Sequence, residues 1–209
     1  MGNAFTTKAI LIGILLCING YIVITYDIVL CAKELTHWAL WLTTAQVMIS
    51  LKCSMDPTID KKLGWLAAHH IIFSLIMPMN LLVTSVYWTC LREVALATFA
   101  NTATKAFHSG VVHLLPLLCT LANFAVTDIV MKASHGLLLL PFAFAYGYAN
   151  YLTTKMQGYP VYPFLDWKDS TSFAVFGGLC SATLLAFFAL SYLTKLIKRG
   201  HSNESKKDL

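Results

Sequence analysis

The chain has 209 residues, 57% of them hydrophobic and only 12% charged, and its mean hydropathy is +0.66. So little charge at this length argues against a soluble globular domain and for an all-α polytopic membrane bundle. A span takes about 20 apolar residues, so the chain has room for roughly five to seven spans with short loops and none for a separate soluble domain. The net charge of +5 concentrates in the C-terminal tail, where it reads as a topology signal and gives no sign of a nucleic-acid partner.

In chain order, the apolar segments predict transmembrane helices over residues 9–31, 37–52, 64–89, 106–126, 136–154 and 171–193. They form a single six-span domain over 1–209, with a cytosolic tail at 194–209. The first segment is too long for a signal peptide and is followed by no small-residue cleavage motif, so it counts as a span. The second is diluted by Thr43, Thr44, Gln46 and Ser50, which places it against protein rather than lipid. Pro78 and Pro116 fall inside the third and fourth spans and each removes one backbone hydrogen bond. Six cysteines (Cys17, Cys31, Cys53, Cys90, Cys119 and Cys180) are scattered singly and outline neither a zinc site nor a disulfide framework.

With six spans and both termini cytosolic, ten of the fifteen Lys and Arg residues face the cytosol: Lys8, Lys52, Lys61, Lys62, Lys132, Lys195, Lys198, Arg199, Lys206 and Lys207. The positive-inside bias selects this orientation. The C-terminal Lys206-Lys207-Asp208-Leu209 has the dilysine register read by the coat machinery that retrieves membrane proteins to the endoplasmic reticulum. Glycan on the sequon at Asn203 would contradict this orientation. Met1-Gly2-Asn3-Ala4-Phe5-Thr6 matches the pattern for myristoylation of Gly2.

Two intrusions into apolar runs stand out as candidate chemistry: Thr43, followed by Thr44, and His113. Counted from the predicted lumenal ends of their spans, Thr43 is six residues in and His113 seven, about 9 and 10 Å at 1.5 Å per residue. A hydroxyl and an imidazole at one level are what a nucleophile and its general base need. The structural alternative is that the threonines bond back to their own helix and the histidine ties two helices together. Gln46, one turn from Thr43, is the candidate oxyanion donor.

The remaining signals are weaker. His108 and His113 are five apart, roughly 140° around a helix, which does not suit one metal; no metal and no cofactor is called for. His69, His70 and His135 are placed at the interface near cytosolic span ends. There is no GxSxG serine-hydrolase motif. Residues 158–166, with two prolines and three aromatics, suit either a rim over a lumenal pocket or a plain interfacial anchor.

Trp41-Leu42-Thr43, His113-Leu114-Leu115-Pro116 and Tyr159-Pro160-Val161-Tyr162-Pro163-Phe164, in this order, resemble the androgen-induced protein family in its fungal form; the family includes the androgen-dependent regulators of tissue factor pathway inhibitor. The resemblance covers nearly the whole chain. It implies a multi-span hydrolase of the endoplasmic reticulum membrane that takes lipid esters, such as fatty acid esters of hydroxy fatty acids, from the bilayer. It implies Thr43 as nucleophile and His113 as base. Thr44 competes with Thr43 and His108 with His113, although fungal relatives with a histidine three residues before proline favour His113. The rival expectation is a non-catalytic membrane scaffold or partner protein.

Overall fold

The computed structural model describes residues 2–56, 58 and 63–204; Met1, Lys61, Lys62 and the dilysine signal at Lys206 and Lys207 lie outside them. Among the described residues the fold is all-helical: α1 (Gly2–Thr25), a short α2 (Ile28–Cys31), α3 (Leu35–Met55), α4 (Leu63–Val86), a π-helical turn (Tyr87–Leu91), α5 (Arg92–Thr98), α6 (Ala103–Ala125), a 3-10 segment (Ala133–Leu138), α7 (Leu139–Gln157) and α8 (Ser170–Glu204). Four stretches are long and apolar enough to cross a membrane: Asn3–Thr25, Gly64–Thr98, Ala103–Ala125 and Ser170–Lys198. The first expected span, 9–31, is in fact α1 followed by the separate α2. The third runs on through the π turn to Thr98.

α3, the helix whose apolar run Thr43, Thr44, Gln46 and Ser50 dilute, is central, packed against α1, α4 and α6. Its polar residues explain why. Thr43, Gln46 and Ser50 are fully buried and Thr44 nearly so, and each is met by a polar group from a neighbour. The amide of Asn19 on α1 donates to the Thr44 hydroxyl at 3.1 Å. The Asn80 amide on α4 donates to both Thr43 (2.9 Å) and Thr120 of α6 (2.8 Å). The Asn123 amide on α6 donates to Gln46 Oε1 at 2.9 Å and its carbonyl accepts from Ser50 at 3.0 Å. Gln46 Nε2 lies 3.1 Å from His69 Nε2.

These ties fix direction and register. Along α3 and α6 the paired positions rise together, Thr36 with His113 and Gln46 with Asn123, so the two helices run parallel. The ties from α3 to α1 and α4 run the opposite way, Lys8 reaching Ser50 O and Asn19 reaching Thr44. At the far end of α6, Lys198 of α8 donates to Phe124 O at 3.0 Å. The start of α1 and the end of α8 therefore lie at the same end of the bundle, with the ends of α3 and α6. His69, expected at the interface, is buried and bonded to Gln46, because α4 turns that face to the polar stripe of α3.

Around the polar ties sit three apolar clusters. One joins α1, α3 and α6 through Leu15, Ile22, Leu40, Val47 and Val112; one centres on Phe73, Met131 and Phe187; a third, Ala39, Ile76, Met79 and Val83, seals α3 on α4. Pro116 leaves the Val112 carbonyl of α6 without its helical N–H, and the Thr84 hydroxyl of α4 donates to the next carbonyl, His113 O, at 2.6 Å. At α7, a Cβ on Gly147 would run into the edge of the Phe176 ring, so the glycine lets that ring of α8 lie against α7.

Replacing Asn123 with Leu strands the Gln46 carbonyl and the Ser50 hydroxyl inside the bundle, a loss of about 1–3 kcal/mol. A clear fall in the unfolding temperature of the detergent-solubilised protein is expected, and a smaller one for Asn19→Leu, which removes a single interhelical bond.

Candidate functional site

His113 is half-buried on α6, and its two ring nitrogens have different partners. Nδ1 lies 2.6 Å from Ser109 O. A carbonyl only accepts, so Nδ1 carries the proton in the neutral ring, the tautomer being assigned from this bond. Nε2 is then the acceptor, and Thr36 Oγ1 stands 3.0 Å from it. The imidazole face is stacked on Tyr87, centroids 3.8 Å apart and planes 13° apart. Tyr87 opens the π-helical turn, a device that recurs where a helix must re-aim a side chain at a functional site. Tautomer, orientation and hydroxyl partner of this histidine are all set.

The threonine at the imidazole is Thr36, not the expected Thr43. Thr43 has no contact with His113; its hydroxyl donates to Ala39 O at 2.7 Å and accepts from Asn80. Thr44 likewise donates to Leu40 O at 2.8 Å. The two helices meet at an offset of 77 residues (Thr36 with His113, Gln46 with Asn123), where pairing Thr43 with His113 would need 70. The difference is seven residues, two helical turns, which returns to within about 20° of the same face. Counting from predicted span ends chose the right face of α3 and the wrong level, because the ends of α3 and α6 are not level: Thr36 is the second residue of its helix and His113 the eleventh.

The first turn of α3 is held by tyrosines. Its N-cap, Glu34, makes no side-chain capping bond; the Leu35 N–H instead meets the hydroxyls of Tyr146 and Tyr162, each at 3.0 Å. Tyr146 comes from α7 and Tyr162 from the loop between α7 and α8. That loop starts at Gly158, whose left-handed backbone (φ 79°) ends α7, and is pinned at Trp167. The indole donates to Asn150 at 2.8 Å, the Trp167 N–H to Ser172 at 2.9 Å, and Lys155 reaches the Trp167 carbonyl at 3.2 Å. These bonds hold Trp167 in a left-handed conformation (φ 56°) that a non-glycine residue seldom adopts. The Lys168 N–H and then the Ser172 hydroxyl, both bonded to Asp166, hold that exposed carboxyl below its usual range. The loop is thus a rim, with Tyr162 and Phe164 turned onto the bundle.

Beneath it is a cleft of about 110 Å³, many times the volume needed for one water. Its wall is almost wholly apolar: Met79, Leu82, Val83, Phe142, Phe176 and Leu184 with Phe164 at the rim. The polar groups on it are few, and Thr36, His113, Tyr146 and Tyr162 are among them. Such a cavity with a small number of converging polar groups is the usual form of a small-molecule site. Thr43 and Gln46 do not line it, and the Gln46 amide is engaged by His69 and Asn123. His108 is packed between Tyr21 and Tyr26 on the α1 side, centroids 4.5 and 5.4 Å away, bordering a separate shallow groove. Sequence reasoning passed over Thr36 because it lies one residue outside the apolar segment 37–52 that marked the second span.

Comparisons with family models, with curated proteins and with solved structures return no match to this chain.

The register makes a cross-linking prediction. With the native cysteines replaced, Thr36→Cys paired with His113→Cys is expected to be bridged by a short bifunctional thiol reagent, whereas Thr43→Cys with His113→Cys is not. Mobility of the two paired variants on a non-reducing gel after cleavage of the α4–α6 connection decides between the registers.

Proposed function

We propose that the chain is an intramembrane lipid-ester hydrolase in which Thr36 is the nucleophile and His113 the general base. The observation that carries this reading is the bond from Thr36 Oγ1 to His113 Nε2, 3.0 Å, at the wall of an apolar cleft. The other threonines of α3 bond to their own helix or to asparagine and do not border the cleft. A threonine hydroxyl is a weak nucleophile until a base removes its proton during attack, and Thr36 has such a base in hydrogen-bond contact.

In this reaction Thr36 Oγ attacks the ester carbonyl carbon as its proton passes to His113 Nε2. The carbonyl π electrons move to oxygen, and collapse of the adduct expels the alcohol, which takes the proton from His113. Water, deprotonated by the same nitrogen, then attacks the acyl-threonine, releases the carboxylic acid and restores the Thr36 hydroxyl. The Nδ1–H bond to Ser109 O steadies the imidazolium between steps, as an orienting acceptor does in hydrolytic triads. The apolar wall suits an acyl chain entering from the bilayer.

The topology that accompanies this reading is six spans, α1, α3, α4 with its extension, α6, α7 and α8, both termini cytosolic, in the endoplasmic reticulum membrane. Four apolar helices, the parallel course of α3 and α6 and the lysine bias support it. The cleft then opens at the lumenal end, under the loop of residues 158–169. The sequence resemblance to the androgen-induced protein family agrees in reaction class but implies Thr43 as nucleophile, two turns along α3 from the Thr36 of this reading. Retrieval through Lys206 and Lys207 and acylation of Gly2 belong to the same proposal.

A second reading has its own support. Thr36–His113 stands at the same offset as Gln46–Asn123, which is a purely structural tie, so a scaffold protein would use the bond only to join helices. Catalysis separates the two. Thr36→Ala is expected to lower hydrolysis of a p-nitrophenyl acyl ester by at least about a thousandfold, the scale of losing a nucleophile, and Thr43→Val by less than tenfold. Full turnover in Thr36→Ala overturns the assignment; no turnover by the wild type, over a series of acyl lengths, selects the scaffold.

A further inference from the structure

The proposed reaction builds negative charge on the carbonyl oxygen, and Gln46, the donor expected from sequence, is bonded elsewhere. We infer that Tyr162 donates the hydrogen bond to this oxyanion; the inference rests on the Thr36–His113 reading above. Tyr162 touches the Leu35 N–H at 3.0 Å, which puts its phenol at the first turn of α3, one residue from the nucleophile, and it borders the cleft with Thr36 and His113.

Counting protons distinguishes it from its neighbour. The Tyr146 oxygen accepts from Leu35 N–H at 3.0 Å and from the Asn150 amide at 3.5 Å, which fills its two lone pairs. Its own proton goes to Lys33 O or to Tyr162, both at 3.2 Å. Tyr146 is a satisfied, structural hydroxyl. With the Tyr146 proton on Tyr162, that phenol accepts twice, from Leu35 and Tyr146, and no bond that its own hydroxyl donates is seen among the described residues. Burial, and then the Tyr146 phenol, push the Tyr162 pKa well above its ordinary value, so the group stays neutral and able to donate.

As the bond from Thr36 Oγ to the carbonyl carbon forms, Tyr162 holds the oxygen by hydrogen bonding alone, with no proton transferred. Its pinned loop makes it preorganised, the property that gives such donors their effect. The N-terminal end of the α3 dipole, positive in sign, lies at the same place and favours the same charge.

The test compares Tyr162→Phe, Tyr146→Phe and Thr36→Ala in the purified full-length protein, with a p-nitrophenyl ester as substrate. A trifluoromethyl ketone of matching chain serves as analogue of the tetrahedral adduct, and the methyl ketone as its control. Tyr162→Phe is expected to lower kcat by about 100- to 1000-fold with KM little changed. Affinity for the trifluoromethyl ketone falls with it while that for the methyl ketone holds; this ratio does not depend on the folded fraction. Tyr146→Phe leaves the ratio at the wild-type value. If Thr36→Ala is inactive but Tyr162→Phe keeps the wild-type kcat or ketone ratio, the role of Tyr162 is overturned and the dyad stands. If both tyrosine variants move the ratio equally, Tyr162 is only a cap for α3. If Thr36→Ala turns over normally, the dyad fails and the Tyr162 role with it.

Discussion

Hydrocarbon supplies no hydrogen bonds, so a helix bearing Thr36, Thr43, Thr44, Gln46 and Ser50 is tolerable in a membrane only if protein satisfies each of them. α3 meets that condition by standing in the middle, with Asn19, Asn80 and Asn123 reaching in from three helices. Each bond adds little by itself, about 0.6 kcal/mol for polar ties in a membrane bundle. Their joint effect is to select one register, since a slip of α6 along α3 would strand several buried polar atoms at once. Everything described for the site follows from that register. It puts His113 beside Thr36, and the antiparallel course of α4 then brings Thr84 and Tyr87 to the same level.

The site is built from both kinds of bond a hydroxyl can make in such a helix. Threonines that donate to the carbonyl four residues back, as Thr43 and Thr44 do, are quiet. Thr36 has no full turn of helix before it. Its proton is directed sideways to an imidazole instead, and the tyrosines that replace a side-chain cap on α3 line the cleft next to it. Position at a helix start thus gives one threonine of three a different environment, with no difference in residue type.

Much of this was legible in the sequence. Composition and apolar runs gave the helical membrane class, and the polar dilution of residues 37–52 pointed to a bundle interior. The aromatic loop at 158–166 reads as either a rim or an interfacial anchor, and Tyr162 and Phe164 border the cleft. The level of one helix against another was not legible. Periodicity reports which face a residue occupies, and Thr36 and Thr43 share a face. Which of them meets His113 depends on how far α6 is displaced along α3, and that displacement is set by Gln46, Asn80, Asn123 and Thr120 acting together across long sequence separations. Tyr146 was invisible for the same reason: its hydroxyl acts on an amide 111 residues away.

The π turn at Tyr87–Leu91 has an effect that reaches past the histidine it supports. One surplus residue in a helix rotates all that follows by roughly 100° relative to what precedes. α4 and α5 are therefore continuous in course but out of phase. The face that packs on α3 and α6 up to Tyr87 is not the face that α5 presents, and no residue of α5 is buried. Packing is lighter beyond that turn: α5 still touches α6, but with partly buried residues only. A substitution in α5 therefore meets few neighbours, and the turn sets it off from the ring that lies on His113.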